Sequence, residues 1–361
     1  MIFSRLRDVV EQGQAKHLHL GIQVSVASSQ WEFDLAFGER KPGEPLTPSH
    51  GMFWLSAAKP ITAICILQLQ EQKKLSIDAP LETVLPEWEH GEVAGARVTL
   101  RHLLTHTSPL HEIDTGWPET NREEILRRLC QAPLKADWRP GERAAYLPSA
   151  SWFLLGEIVA RASGMTFNEY VQRTILEPLG MLQTRCQASP TRVDVEEPVL
   201  YDRVRGELHP SEYLSRLKAT IPSPGSSFRG PARELRLIYD GLLRDLRENT
   251  GLLLKQATVR EMTHRQRAGL FDETLQHKVD YGLGLIIDSK EYGSQTVPYG
   301  FGEASSRETF GHGGSQCAIG FADPASNRSV VIVANGRPGE GQHQRRFREM
   351  LSALEADLNS L

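Results

Sequence analysis

The chain has 361 residues, 40% of them hydrophobic and 24% charged, with a formal net charge of −4. That is enough for two or three structural units around a sizeable core. Its mild acidity offers nucleic acid or an anionic membrane surface nothing to bind, and no stretch reaches the roughly 20 apolar residues of a membrane span.

In chain order, MIFSRLRDVVEQGQ places Ile2, Phe3, Leu6, Val9 and Val10 at helical spacing and lacks the apolar core of a secretion signal. Four widely separated cysteines, Cys65, Cys130, Cys186 and Cys317, form no C-x-x-C pair and read as reduced, mostly buried thiols. A cytoplasmic address is the expectation. GIQVSVASS and WEFDLAFGER follow as two strands about a polar turn, and a helix opens near Ser56. Residues 71–265 are mainly helical and loop text, with 190–232 predicted irregular from its Pro, Gly, Ser and charge. YGLGLIID, CAIGFAD and SVVIVANG are late strands. RRFREMLSALEADLNSL closes as a helix, with Phe347, Met350, Leu351, Leu354 and Leu358 on one face. Strands at both ends predict an α+β fold: one antiparallel sheet built from both termini, flanked by helices. Residues 1–70 and 266–361 form its sheet part, and 71–265 a mostly helical insertion.

WLSAAKPITAICILQL sets Ser56 and Lys59 one helical turn apart on the same face. Pro60 is tolerated only in the first turn of a helix, which puts Ser56 at or just before the helix start. Free N–H groups and the helix dipole favour negative charge there. Apolar residues then cover nearly every side of the helix. A lysine at such a place either sits at an exposed end and does nothing, or is buried, loses its proton near neutral pH and serves as base to Ser56. A second S-x-x-K, Ser215 to Lys218, lies in polar, irregular text and lacks this context.

Tyr146, in WRPGERAAYLPSASWFLLGEIV, stands just ahead of an apolar helix. It is either a core tyrosine or a phenol that relays a proton between nucleophile and leaving group. His312-Gly313-Gly314 enters a late strand. Its glycines make either a hairpin turn or a close backbone approach to a ligand, with the Ser315 N–H next in line. His102 and His106 are four apart with Leu103 where a zinc peptidase needs Glu, so they read as structural. His17 and His19 flank a single leucine, have no acidic partner nearby and suggest a surface or strand position. There is no G-x-S-x-G elbow, P-loop or dinucleotide fingerprint, and neither metal nor cofactor is indicated.

In this order, FWLSAAKPITA, RVTLRHLLTHTSPL, WRPGERAAY, WFLLGEIVARASG, ILEPLGM, YGLGLII and FGHGGSQCAIGFADPASNRSVVIVANG span most of the chain. Together they resemble the serine β-lactamase and penicillin-binding-protein superfamily, in its class C-like branch of esterases, D-aminopeptidases and transacylases. The resemblance implies a β-lactamase/transpeptidase-like fold, with Ser56 as acylated nucleophile, Lys59 as its base and Tyr146 as the tyrosine of the Y-x-N element. It sets His312-Gly313-Gly314 in the place of K-T-G and makes the N–H groups of Ser56 and Ser315 the oxyanion hole. Three departures stand out. Pro148 occupies the place of the Asn, with Ser149 a candidate to replace it. Pro109 sits where a Gly is usual. His312 replaces the lysine that helps bind a substrate carboxylate, so penicillin-like substrates are disfavoured.

The expected function is a serine hydrolase with esterase or amidase-like activity on a small acyl substrate. The alternative is an acyltransferase that hands the acyl group from Ser56 to the alcohol or amine of a metabolite. A β-lactamase, a D-alanyl peptidase or a non-catalytic binding protein stands further back.

Overall fold

Seven strands form the central antiparallel sheet of the computed structural model, which describes residues 3–186, 197–213 and 221–360. They are β1 (Gly21–Ala27), β2 (Glu32–Lys41), β3 (Glu44–Pro45), β4 (Ile286–Ile287), β5 (Phe310–Gly314), β6 (Ala318–Asp323) and β7 (Arg328–Ala334), in the order β4-β5-β6-β7-β1-β2-β3. The N-terminal β1 pairs with the C-terminal β7, Val24 opposite Ile332, so the sheet is indeed assembled from both ends of the chain.

Side chains alternate across it. Val330, Ile332 and Ala334 join Ile22, Val24 and Val26 in one core, while Val331 and Val333 join the other. The first core is covered by α1 (Ser4–Ala15) and the C-terminal helix, whose contacts include Leu6, Val10, Phe347 and Leu354. Asp357 ties these two helices, accepting from the Leu6 N–H at 2.9 Å and from the Arg5 guanidinium at 3.3 Å. On the opposite face of β1, Gln23 receives the Ala232 N–H at 2.8 Å, and the Ser25 hydroxyl receives Arg236 at 2.7 Å. Buried polar groups there are partnered, as burial demands.

The second core holds α2 (Lys59–Glu71), α3 (Arg122–Gln131), α4 (Ala150–Ser163) and α5 (Ala232–Glu248); the C-terminal helix is α6 (Glu340–Leu358). Every residue of α2 from Lys59 to Leu69 is buried, which accounts for its lack of a polar face. Although α5 falls within residues 71–265, it lies across β1, β6 and β7.

The structure departs from expectation in three places. YGLGLIID yields only the two-residue β4. Ahead of it the Leu283 and Gly284 N–H groups go to the carbonyls of Met262 and Leu104, off the sheet. Within 190–232 the chain makes a hairpin, Tyr201–Val204 with Glu207–Pro210. Arg205 and Gly206 both take positive φ at its turn, the backbone that suits a two-residue hairpin, and Gly336–Arg337 pairs alongside. His19 is buried rather than at the surface, with Nε2 3.1 Å from the Val10 carbonyl and Arg346 donating to Nδ1. His17 is exposed and does find an acid, Glu207 at 2.8 Å, far along the chain. Ser215 and Lys218 lie outside the described residues. All four cysteines are free and buried. Among the described residues no helix is long and apolar enough to cross a membrane.

Candidate active site

Ser56 sits in a 3-10 turn, Leu55–Ala58, that runs directly into α2, with Pro60 in the first turn of that helix. The residue before it, Leu55, is held at φ +48°, a conformation that costs a branched side chain energy and tends to mark working sites.

Lys59 is the first residue of α2 and is fully buried. Its Nζ lies 2.9 Å from Ser56 Oγ, 2.8 Å from the Pro148 carbonyl and 3.1 Å from the Gly225 carbonyl. Carbonyl oxygens only accept, so a neutral amine spends both its N–H groups on them and aims its lone pair at the Ser56 hydroxyl. Burial brings the Lys59 pKa down to about 7, against the pull of the Glu112 charge, which favours the ammonium. The amine can thus exist in both forms near neutral pH.

Tyr146 Oη is 2.8 Å from Ser56 Oγ, on the other side of the nucleophile. Burial pushes its pKa far up, so the phenol keeps its proton and donates. Its own N–H goes to Asp272 at 2.9 Å, and Asp272 pairs with Arg267 at 2.9 Å, both wholly buried. Behind the ring, His106 Nδ1 accepts the Leu147 N–H at 3.0 Å. His102, its neighbour four residues back, belongs to the capping box of the short helix Leu100–Leu104. Neither histidine reaches Ser56.

The strand side of the site is β5. His312 Nδ1 lies 2.7 Å from the carbonyl of Gly313, and burial takes the imidazole pKa down to about 3. The ring is therefore neutral at any working pH, further from charge than an unperturbed histidine near 6.5. Gly313 and Gly314 are glycines for packing reasons. A Cβ on the first would lie 2.0 Å from the Tyr299 ring, and on the second 2.1 Å from the Trp54 carbonyl, just upstream of Ser56. Their smallness draws β5 against the nucleophile turn and sets Ser315 at the end of the strand beside Ser56. The cavity between them, about 380 Å³, has Ser56, Tyr146, Tyr281, Tyr299, His312 and Glu340 among its lining residues.

Ser149 does not stand in for the missing Asn. Its hydroxyl bonds to Glu112, whose carboxylate also receives the N–H groups of Ser149 and Ala150 at the start of α4. The Lys59 partner there is the Pro148 carbonyl, a backbone group that composition cannot announce. Glu112, Gly225, Tyr299 and Glu340 were likewise missed. Only Glu112 carried a signal, its place in the HEIDTGWPETN loop.

The arrangement holds one hydroxyl between a buried amine and a buried phenol, an economical layout for removing the proton and returning it elsewhere. The family model named Beta-lactamase matches residues 6–355. A lovastatin esterase of Penicillium rubens is 29% identical over 339 residues, covering 76% of this chain and 81% of that one. Esterase EstB of Burkholderia gladioli is 29% identical over 333 residues, covering 82% and 80%. Among solved structures, EstCE1, described as a hydrolase with promiscuous acyltransferase activity, superposes with a TM-score of 0.81 at 22% identity over 97% of both chains. Unliganded simvastatin synthase of Aspergillus terreus does so with a TM-score of 0.76 at 20% identity, over 99% of this chain and 98% of that one. The family match runs from α1 into α6 and takes in every element that carries the site: the chain belongs to the Beta-lactamase family.

Proposed function

We propose that the protein is a serine hydrolase of small acyl esters, working through an acyl-enzyme on Ser56. The observation that carries this reading is the three-way contact at Ser56 Oγ, with Lys59 Nζ at 2.9 Å and Tyr146 Oη at 2.8 Å. Oγ attacks the acyl carbon as its proton passes to Lys59 Nζ, and the N–H groups of Ser56 and Ser315 hold the oxyanion. The ester C–O bond then breaks, and the leaving oxygen takes a proton relayed by Tyr146. Water attacks the acyl carbon next, giving its proton to the same base, and frees the carboxylic acid and Ser56. The names of the esterase relatives support hydrolysis of esters.

Transfer of the acyl group to an alcohol or amine uses the same intermediate with another acceptor in place of water. The relative named as monacolin J acid methylbutanoyltransferase favours keeping it as the second reading. A neutral His312 sets β-lactams and D-alanyl peptides behind both. A cytoplasmic address goes with this reading, supported by four free, buried thiols.

Intact-mass spectrometry after mixing with p-nitrophenyl butyrate tests it. A butyryl adduct that maps to Ser56 and is absent from Ser56→Ala is the expected result. Full turnover by Ser56→Ala overturns it.

A further inference from the structure

Two side chains on the wall of the active-site cavity, His312 and Glu340, offer lone pairs to a ligand. His312 Nδ1 faces the Gly313 carbonyl at 2.7 Å, and a carbonyl can only accept, so Nδ1 carries the imidazole hydrogen. Its other nitrogen, Nε2, is then a bare lone pair. It is buried, on a cavity-lining side chain, and has no hydrogen-bond partner. A buried acceptor left unmade costs free energy and marks a place where a ligand donor gains.

The same cavity is lined by Glu340, the first residue of α6, where the helix dipole favours its negative charge. Tyr299 Oη donates to both of its carboxylate oxygens, at 3.3 and 3.2 Å, and keeps the group turned to the cavity wall. Desolvation raises the Glu340 carboxyl, opposed by hydrogen bonds from Tyr299 and Gln316. Among the described residues, Glu340 is the one carboxylate that lines the cavity, and no lysine or arginine lines it. Tyr281 Oη, also buried without a partner, can act as donor or acceptor and so fits either ligand.

We propose that this cavity selects substrates bearing a protonated amine, or another strong hydrogen-bond donor, bound by Glu340 and His312 Nε2. Where relatives with a lysine at this strand position attract a carboxylate, the sign here is reversed. The proposal rests on the acyl-enzyme reading for its chemistry, which is unchanged: the amine is a binding handle and takes no part in bond making.

Three matched p-nitrophenyl esters test it near neutral pH: those of para-methylbenzoic, para-(aminomethyl)benzoic and terephthalic acids, which are neutral, cationic and anionic. We expect kcat/KM for the cationic ester to exceed that of the neutral one by about tenfold, the scale of a hydrogen bond to a charged group, with the anionic ester lowest. Glu340→Gln should bring the cationic-to-neutral ratio toward one. A wild-type ratio at or below one overturns the proposal, as does a Glu340→Gln enzyme that keeps the full ratio. Calorimetric binding of para-methylbenzylammonium and para-methylbenzoate to Ser56→Ala gives the same comparison without turnover, and tighter binding of the carboxylate also overturns it. No turnover of any ester, with the ammonium still bound more tightly, breaks the acyl-enzyme reading and leaves the selectivity standing.

Discussion

Lys59 on the helical side of the site and His312 on the strand side are both wholly buried, and burial lowers the pKa of each. The outcomes are opposite. Starting from 10.5, Lys59 falls to about 7 and becomes a group that titrates where the protein works. Starting from 6.5, His312 falls to about 3 and leaves that range altogether. One physical effect therefore makes a proton carrier on one wall and a fixed acceptor on the other. The starting value of the side chain, and not the degree of burial, decides which.

The sharpest way to break this contrast is Lys59→Arg. Arginine cannot lose its proton, so the variant should lose about 4 kcal/mol of transition-state stabilisation, roughly a thousandfold in acylation rate. In the wild type the acylation rate should rise with pH through about 7, because the ammonium must lose its proton before it can accept one. His312 should add no second step between pH 5 and 8, since it is already neutral there. Stopped-flow acylation across that range measures both, and an arginine variant with near-native rates would mean Lys59 acts only as a charge.

A smaller effect separates relay from packing. Tyr146→Phe should cost at least about tenfold in rate with an unchanged melting temperature, since the ring contacts remain and only the Oη–Oγ link at 2.8 Å is lost. Equal rates in the two proteins would remove the phenol from the proton path.

The smallest expected change sharpens the pKa argument itself. The Glu112 charge favours the Lys59 ammonium and so raises its pKa. Glu112→Gln should move the acid limb of the acylation profile to lower pH, altering the rate at any one pH by about fivefold or less. A limb shifted upward would show that Glu112 matters through its grip on Ser149 and α4, and not through its field.

Much of this was legible because it rests on local rules. Pro60 marks the helix start beside Ser56, the unbroken apolar run of α2 announces its burial, and the short apolar run SVVIVANG announces a strand. What escaped was made by distant backbone. The carbonyls of Pro148 and Gly225 that hold Lys59 belong to residues 89 and 166 positions away, and any residue carries a carbonyl. Gly313 and Gly314 read as a hairpin turn or a close backbone approach to a ligand; that the Tyr299 ring and the Trp54 carbonyl also crowd them depends on distant residues. YGLGLIID looked like a strand because hydrophobicity reports burial, not which carbonyls the N–H groups will find.

The pairing of β1 with β7 also dictates an order of events in time. β1 leaves the ribosome long before its partner residues 329–334. Until then one edge of β1 can be covered by β2, while the edge meant for β7 stays open. The loop that must close spans most of the chain, the kind of long-range contact that slows folding and exposes strand edges to other chains. The sheet must therefore wait for β7 before the β1–β7 pair can form, and the turn that carries Ser56 cannot meet β5 before the closing strands arrive.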